Sequence, residues 1–313
     1  MFQAPATVRL DAPRGRLPPG GRLADFRDRW MRYRCLIVDH LAQLRREMPV
    51  RVLVAMPGNV GDQLIWAGTN DLLAAAGVSP RPLPAGEVHA TVARDECLVI
   101  PGSGALTAIW HEWLPRLVAD AADRFARVVI LPSQFDATVP VVAAALSRPN
   151  VFAFAREPRS FNRIRRFGRA ALAFDPALFA ERLPGTRPAP PARAASARLI
   201  AFREDPASLL AAHGCRPNPR VNHDIGRLAP DLDGFLAAVQ TVDEVVTDRL
   251  HVTVAAAMSG RRVRYIDPHD HKISTYVAFV FRNELGDRIR PCSVDWLLEH
   301  GLVDREARPC GSR

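Results

Sequence analysis

The stretch RVLVAMPGNVGDQLIWAGTNDLLAAAG, residues 51–77, joins an apolar run to a helical pattern through a glycine-rich turn. A continuous apolar run such as residues 51–56 is typical of a strand buried on both faces, and such strands belong to parallel sheets covered by helices. Residues 62–77 carry the period of a helix. The stretch therefore predicts the first strand–turn–helix unit of an α/β fold.

The same alternation recurs on both sides of a proline- and arginine-rich interruption at 182–198, which is typical of a linker. Further strands are predicted at 97–100, 127–131, 151–155, 199–203, 244–247 and 262–267. Further helices are predicted around 106–124, at 136–147, 206–213, 233–241 and 251–258, and within 272–300. Because open parallel sheets bind ligands at the carboxyl ends of their strands, two Rossmann-like domains facing a central cleft are expected.

The 313 residues are enough for two domains. We predict an N-terminal arm and helix, an N-terminal Rossmann-like domain, a linker, a C-terminal Rossmann-like domain and a C-terminal segment, at 1–50, 51–181, 182–198, 199–280 and 281–313. Within the first part, residues 24–47 carry apolar residues at helical spacing. This favours a helix packed on the first domain, and the alternative is a basic amphipathic surface near a membrane.

The net charge of +9 points to anionic partners. Nucleic acid is disfavoured because no basic run interleaved with aromatic residues occurs. The five scattered cysteines suit a reducing cytoplasm. The N-terminal residues lack the apolar segment of a signal peptide, and no apolar run has the length of a membrane span. We expect a cytoplasmic protein, with the inner face of the membrane as an alternative location.

Glycine-rich turns after two predicted strands could hold an anion. In the first turn, Asn59 lies among glycines before a helix that begins near Asp62, so backbone amides and the helix N-terminus can bind negative charge. It is neither a Walker motif nor a dinucleotide-binding motif, and the alternative is a tight turn capped by Asp62. In the second turn, Gly102 and Gly104 let a ligand approach the backbone, and Ser103 offers a hydroxyl.

A third strand end carries Arg156, with Ser160 four residues later. The planar guanidinium binds carboxylate or phosphate through two parallel hydrogen bonds, which makes a strand-end arginine a candidate anion clamp. Pairing of Arg156 with Glu157 or with a neighbouring aspartate is equally open.

The stretch TDRLH, residues 247–251, precedes the predicted helix 251–258. If Asp248 caps that helix, Arg249 and His251 fall in its first turn, where the helix dipole disfavours cations. A bound anion would reverse this penalty, and His251 could titrate near neutral pH. The alternative is that Arg249 pairs with Asp248 or Asp267.

The loop DPHDHK at 267–272 contains His269, Asp270 and His271, which are possible metal ligands. Adjacent residues on a loop rarely converge on one ion, so no metal is predicted. Lys272 is able to reach into the cleft.

The motifs together resemble the polysaccharide pyruvyltransferase family over about residues 51–280. The R-L-H element, followed by a small-residue helix, a glycine, a strand and a lysine, is the most specific part. The resemblance is weaker at Glu157, where the family often has Asp, at Phe161, where it often has Tyr, and in LPSQF at 131–135. The matching stretches are GNVGDQLI (58–65), GSGAL (102–106), AREPRSF (155–161), FDPAL (174–178) and TDRLHVTVAAAMSGRRVRYIDPHDHKI (247–273).

The resemblance implies an architecture similar to two-domain glycosyltransferases of the GT-B type. It also implies transfer of the pyruvyl group of phosphoenolpyruvate to two hydroxyls of one sugar, which forms a cyclic ketal and releases phosphate. Acceptors in the family are lipid-linked oligosaccharides or other glycans on the way to exopolysaccharides and cell-surface polymers. Neither a nucleotide nor a metal cofactor is implied.

This chemistry suggests roles for the candidate residues. A donor with a phosphate and a carboxylate calls for cationic clamps, and proton transfer calls for an acid or base near neutral pH. The catalytic candidates are His251, as general acid or base, and Asp62, as a base or sugar ligand. The donor-binding candidates are Arg156, Arg249, Lys272, Asn59, Gly102, Ser103, Gly104 and Ser160.

Two alternative functions stay open on the sequence. One is a glycosyltransferase of the same architecture that uses a nucleotide-sugar donor, although no sugar-nucleotide signature is visible in the second domain. The other is a non-catalytic, glycan-binding member of the family, although the R-L-H element is present.

Overall fold

The computed structural model describes residues 25–56, 58–107, 112–183, 197–205, 208–267, 272–282 and 285–306. The strands are β1 (Val50–Val54), β2 (Arg81–Pro84), β3 (Ala93–Ile100), β4 (Phe125–Ser133), β5 (Val151–Ala155), β6 (Ala170–Leu172), β7 (Arg198–Ala201), β8 (Cys215–Pro217), β9 (Glu244–Thr247), β10 (Arg262–Tyr265), β11 (Ile289–Pro291) and β12 (Val303–Arg305). The α-helices are α1 (Phe26–Glu47), α2 (Val60–Ala75), α3 (Trp113–Arg124), α4 (Pro140–Leu146), α5 (Pro158–Ile164), α6 (Ile225–Leu228), α7 (Leu232–Gln240), α8 (Leu250–Met258), α9 (Lys272–Val280) and α10 (Val294–Glu299).

Strands β1 to β6 form a parallel sheet in the order β2-β1-β3-β4-β5-β6, and a second parallel sheet has the order β11-β10-β9-β7. Strands β8 and β12 form a separate antiparallel pair. One apolar cluster lies between the first sheet, α1 and α2, and continues to α7, α8 and α9. A second covers the opposite face of that sheet together with α3 and α4. The predicted α/β class, with parallel strands buried between helices, is confirmed.

The sequence prediction missed short strands and misplaced one helix. Strand β2 has the sequence RPLP, and its prolines are tolerated because it forms the edge of the first sheet. Strand β11 extends the second sheet beyond residue 280. At 206–213, the described residues form only a 3-10 helix, Ala211–His213. The Ser208 hydroxyl accepts a hydrogen bond from the Leu210 amide at 3.3 Å, a local bond that competes with helix formation.

Helix α1 packs against both halves of the chain. The indole of Trp30 donates to the Leu178 carbonyl at 2.8 Å. The guanidinium of Arg29 donates to the carbonyls of Phe279 and Val280, at 2.8 and 2.9 Å, and thereby satisfies the C-terminal end of α9. The interpretation of this region as a packed helix is confirmed, and its apolar face is buried within the protein. Among the helices that the structure describes, none has the length and apolar character of a membrane span.

The two sheets meet through their helices. Helix α2, which follows β1, contacts α6, α7 and α8 of the second half, and α5 contacts α9. Because α2, α8 and α9 all start at the carboxyl ends of parallel strands, the loops at these ends of both sheets approach one another.

Gly68 lets α2 lie directly on the backbone of a 3-10 helix at Pro176–Phe179. A Cβ atom at position 68 would overlap the carbonyl oxygen of Pro176. The carboxylate of Asp175 caps this 3-10 helix by accepting a backbone hydrogen bond. Gly68 therefore sets how closely Asp175 approaches α2.

Gly68→Ala is expected to lower the thermal unfolding midpoint, because the added methyl cannot share space with a backbone carbonyl. The cost should be about 3 kcal/mol, at the upper end for an overpacked core. Gly86→Ala is the matched control, since a Cβ there meets nothing within 4 Å. Equal midpoints for the two variants in differential scanning calorimetry would contradict this account of the α2 contact.

Candidate active site

The first wall of the site lies where the strand order of the first sheet changes direction, between β1 and β3. Loops at such a switch point diverge and leave a crevice. In the loop after β1, Asn59 caps α2 by accepting from the Gly61 amide at 2.9 Å. The Asp62 carboxylate accepts from the Asn59 amide at 3.0 Å and from its side chain at 2.9 Å. The alternative that Asp62 caps this helix was wrong in its residue: Asn59 is the N-cap, and Asp62, at the third position of α2, closes the capping box through Oδ2 while Oδ1 points to another partner.

The second wall is the start of α8. This helix begins one residue later than it would if Asp248 were its N-cap. Arg249, not Asp248, is the N-cap residue, and the helix begins at Leu250. The carboxylate of Asp248 instead accepts from the Arg203 amide at 2.8 Å, because the side chain turns towards the end of β7. The prediction that Asp248 caps this helix was wrong.

His251 lies in the first turn of α8, between two carboxylates. Its Nδ1 is 3.5 Å from Asp62 Oδ1, and its Nε2 is 3.7 Å from Asp175 Oδ2. Both are ion-pair distances, longer than a hydrogen bond, and within the described part of the chain the buried Nε2 has no hydrogen-bond partner. The backbone of Gly61 packs close to this ring, since a Cβ there would stand 3.2 Å from His251 Cβ. The two predicted catalytic residues are thus brought together.

The protonation states of this cluster follow from its geometry. Burial disfavours the charged imidazolium, but the carboxylates of Asp175 and Asp62 outweigh burial and raise the pKa of His251 above 6.5. Burial would raise the pKa of both aspartates, and contacts with His251 outweigh it, so the pKa of each carboxyl lies below its usual range. His251 can therefore hold a proton near neutral pH while both carboxylates stay ionised.

Arg156 and Asp175 form a fully buried ion pair behind His251. Nη1 of Arg156 lies 3.1 Å from Asp175 Oδ2, and its Nη2 donates to Gln134 Oε1 at 3.2 Å. Both charged side chains are at most 1% exposed. The prediction that Arg156 could pair with a neighbouring aspartate is confirmed. Asp175 was not among the predicted site residues, although the motif FDPAL contains it.

Lys272 and Arg156 approach one glycine from the two halves of the chain. A Cβ atom on Gly104 would lie 3.6 Å from Arg156 Nη2 and 3.7 Å from Lys272 Nζ. Gly104 has no side chain to fill the space beside these two cationic groups, so an anionic group can approach its backbone there.

Arg249 lies in the same region but is engaged by carboxylates. Its Nε and Nη2 both donate to Asp224, each at 2.6 Å, and Nη2 also lies 3.4 Å from Asp205. Two parallel bonds to one buried carboxylate hold the guanidinium in a fixed position. The alternative that Arg249 pairs with a carboxylate is thus correct, but the predicted partners, Asp248 and Asp267, were wrong. The partner is Asp224, which lies 25 residues earlier in the chain. The role of Arg249 in donor binding stays a prediction.

Of the remaining predicted donor-binding residues, Gly102 and Ser103 lie in the loop after β3 and Ser160 lies in α5. Ser103 Oγ accepts from the Ala105 amide at 3.0 Å, and Ser160 Oγ accepts from the Phe135 amide at 2.8 Å. Both hydroxyls thus stabilise loop structure. Gly102 is required by packing, since a Cβ there would lie 2.5 Å from the Pro132 carbonyl oxygen. Donor binding by these residues stays a prediction.

Two other places in the protein were candidates for a site, a loop with possible metal ligands and a surface cavity. The histidines and aspartate of the 268–271 loop lie outside the described residues, and within the described part of the chain no group of three ligating side chains converges. A cavity of about 410 Å³ opens at the amino-terminal ends of β1 and β2, where arginines of α1 contribute to its walls. It lies at the amino-terminal ends of the strands, whereas the site lies at their carboxyl ends, where ligands of parallel sheets bind.

The cluster as a whole has an excess of positive charge. Among the described residues, its cations are protonated His251, Arg156 and Lys272, and its carboxylates are Asp62 and Asp175. An acid with a raised pKa, ionised carboxylates and two further cations can bind an anion and deliver a proton to it.

Comparison with known proteins gives a family match. The model of the polysaccharide pyruvyl transferase family matches residues 59–270, more than half of the chain. This range includes Asp62, Arg156, Asp175 and His251 and ends just before α9. Among solved structures, a functionally uncharacterized protein from Klebsiella pneumoniae subsp. pneumoniae is similar in fold, with a TM-score of 0.65 and 20% identity over 83% of this chain and 99% of that one. No curated protein matches the chain.

Proposed function

Because the chain belongs to the polysaccharide pyruvyl transferase family, we propose that it transfers the pyruvyl group of phosphoenolpyruvate to two hydroxyls of one sugar, forming a cyclic ketal and releasing phosphate. The observation that carries this proposal is the position of His251 between the carboxylates of Asp62 and Asp175, next to Arg156. The proposed acceptor is a glycan of an exopolysaccharide or another cell-surface polymer. Phosphoenolpyruvate is the donor substrate, and no other cofactor takes part in the proposal.

The donor carries a carboxylate and a phosphate, which need separate partners. We assign the carboxylate to Arg156, at the buried end of the site, because a guanidinium matches its planar geometry. We assign the phosphate to Lys272 and to the amides at the N-terminus of α2, near Asn59. For Arg249, the bonds to Asp224 support a role in fixing the first turn of α8, where His251 lies.

The proposed proton path begins with the charged imidazole of His251, which protonates the methylene carbon of the donor. The neighbouring carbon then gains carbocation character and forms a bond to the first sugar hydroxyl, whose proton passes to Asp62 or returns to His251. Loss of phosphate and attack by the second hydroxyl complete the ketal. Two hydroxyl protons leave the sugar: one ends on the new methyl group, and the other leaves with phosphate.

We also propose that the two parallel sheets are Rossmann-like domains in a GT-B-like arrangement, with the first domain at 51–181, a linker at 182–198 and a second domain that begins at 199 and continues past 280 to include β11. Contacts of α2 with α6, α7 and α8 support this arrangement. So do the first turns of α2 and α8, at the carboxyl ends of the two sheets, which supply Asp62 and His251 to one site. Association with the inner face of the membrane is an expectation that a vesicle-flotation experiment would test.

A donor competition assay tests the proposed reaction. The full-length protein is incubated with phosphoenolpyruvate and a panel of glycan acceptors, and released phosphate and the mass increase of a pyruvyl ketal are measured. In parallel, nucleotide release from nucleotide-sugar donors is followed. Ketal product with phosphate release supports the proposal, whereas nucleotide release supports the glycosyltransferase alternative. Binding of glycan without either product supports the non-catalytic alternative.

The pH dependence of the reaction should report the raised pKa of His251. A group that acts as an acid is active below its pKa, so kcat/KM for the donor should be high at pH 6.5 and fall as the pH rises through the raised value. Asp62→Asn removes one of the two carboxylates that lie beside the His251 imidazole and so lowers its pKa. The fall of kcat/KM at high pH, the alkaline limb of the profile, should move to lower pH by about one pH unit.

The matched control is Asp95→Asn, an exposed carboxylate on β3. It should leave the position of the alkaline limb unchanged, and pH profiles of the three proteins are measured with saturating acceptor. An alkaline limb that stays in place in Asp62→Asn would show that Asp62 does not set the proton affinity of the catalytic acid.

A further inference from the structure

Tyr276, in α9, carries a buried hydroxyl that has no hydrogen-bond partner among the residues that the structure describes. The side chain is 1% exposed. Native proteins satisfy most buried polar groups, and an exception requires an explanation. The apolar surroundings of the ring would accept a phenylalanine as well, so packing does not account for the hydroxyl.

The hydroxyl lies beside the groups that hold the donor in the proposed function. Tyr276 follows Lys272 by one turn of α9, and residues four apart lie on the same face of a helix. Helix α9 packs on α8, which carries His251, and on α5, which begins two residues after Arg156. The charges of Asp175 and Arg156 both act on the Tyr276 hydroxyl. Two buried polar atoms without a hydrogen-bond partner among the described residues, His251 Nε2 and Tyr276 Oη, are thus both under the influence of one carboxylate, Asp175.

The electrostatics of Tyr276 favour hydrogen-bond donation over proton transfer. Burial, reinforced by Asp175, raises the pKa of its phenol well above 10, and Arg156 offsets this only in part. A general acid works best with a pKa near the operating pH, and a phenol whose pKa lies well above 10 does not meet this condition. The phenol therefore keeps its proton throughout the pH range of the reaction and can present it to an anion.

We propose that the Tyr276 hydroxyl donates a hydrogen bond to the carboxylate of the donor substrate, next to Arg156, and thereby selects donors that carry this carboxylate. The inference rests on the proposed function. A buried hydroxyl that loses its hydrogen-bond acceptor costs free energy. The site should therefore reject a substrate analogue that lacks the carboxylate more strongly than a purely apolar pocket would. Tyr276 is thus a specificity-determining residue that contacts substrate without transferring a proton.

The test compares wild type, Tyr276→Phe and Tyr33→Phe with phosphoenolpyruvate as donor and vinyl phosphate, which lacks the carboxylate, as competitive inhibitor. Tyr33 is the matched control, a half-buried tyrosine of α1 whose ring packs on Phe174 and Phe279. In Tyr276→Phe, KM for phosphoenolpyruvate should rise roughly 10- to 100-fold, the range for a hydrogen bond to a charged group, with a smaller change in kcat. The inhibition constant for vinyl phosphate should change little, and thermal stability should be unchanged or higher.

Several outcomes would overturn the inference. An unchanged KM in Tyr276→Phe would do so, as would equal losses for phosphoenolpyruvate and vinyl phosphate, which would indicate a general packing defect. A lower unfolding midpoint with unchanged kinetics would make the hydroxyl structural. If wild type neither binds nor consumes phosphoenolpyruvate, the proposed function fails and this inference fails with it, whereas activity in wild type with no effect in the variant refutes the inference alone.

Discussion

Replacing His251 by alanine is expected to lower kcat for pyruvyl transfer by about 100- to 10,000-fold, the range that general acid–base groups contribute. The imidazole is the group of the active-site cluster suited to general-acid catalysis, since the pKa of His251 is raised from its ordinary value while the pKa of the Asp62 and Asp175 carboxyls is lowered. Folding should be retained, because without the imidazole Asp175 keeps its ion pair with Arg156 and Asp62 keeps its hydrogen bonds from Asn59.

Steady-state kinetics with phosphoenolpyruvate and a glycan acceptor, together with circular dichroism, measure this effect. His89→Ala, an exposed histidine near β2, is the matched control and should behave as wild type. Added imidazole should restore part of the activity of His251→Ala, because the substitution leaves room between the two aspartates. Wild-type turnover in His251→Ala would remove this residue from the mechanism.

Breaking the buried pair of Arg156 and Asp175 should have the second large effect, and here stability and activity should separate. Arg156→Met removes the nearer of the two cationic groups that contact the buried carboxylate of Asp175 and leaves only the longer contact with His251. Loss of one partner from a buried ion pair costs about 3–5 kcal/mol. The double variant Arg156→Met, Asp175→Leu removes both charges and should recover most of the lost stability, because buried ion pairs often contribute little over apolar residues of similar volume.

Activity should not recover in the double variant. The donor loses its proposed carboxylate clamp, and His251 loses one of the two carboxylates that raise its pKa. We expect kcat/KM to stay at least about 1,000-fold below wild type, as for other groups that stabilise charge in an active site. Urea unfolding midpoints and kcat/KM of the three proteins are compared. A single variant as stable as wild type would show that the pair does not stabilise the fold, and an active double variant would exclude Arg156 and Asp175 from the reaction.

Much of the fold was predictable because hydrophobic periodicity is local. Strands β1, β4, β5 and β9 lie where continuous apolar runs indicate buried strands, and α2, α7 and α8 follow the helical period. The errors have two causes. Strand β2 contains two prolines and exists because it pairs with β1 at an edge, which is a tertiary contact. Within the described part of 206–213, only Ala211–His213 is helical, and the Ser208 hydroxyl makes a local hydrogen bond that competes with a longer helix.

The candidate site divides in the same way. His251, Asp62, Arg156 and Lys272 were predictable because each follows a predicted strand of a parallel sheet, and such strand ends gather on one edge. Asp175 and Tyr276 were not predictable as site residues. The sequence around Asp175 indicates only a cap of a short turn, and Tyr276 resembles a core aromatic. Only the folded chain pairs Asp175 with Arg156 and packs the helix of Tyr276 against α5 and α8.

The sequence by itself determined the parallel α/β architecture, the strand-end positions of the polar residues and the resemblance to a family, because these depend on residue type and spacing. Tertiary structure decided which charges are paired. Arg249 is bound by Asp224 and Arg156 by Asp175, although 25 and 19 residues separate them, while His251 lies between carboxylates from two distant segments. Coulomb interactions depend on distance in space and on burial, and neither can be calculated from the order of residues along a chain.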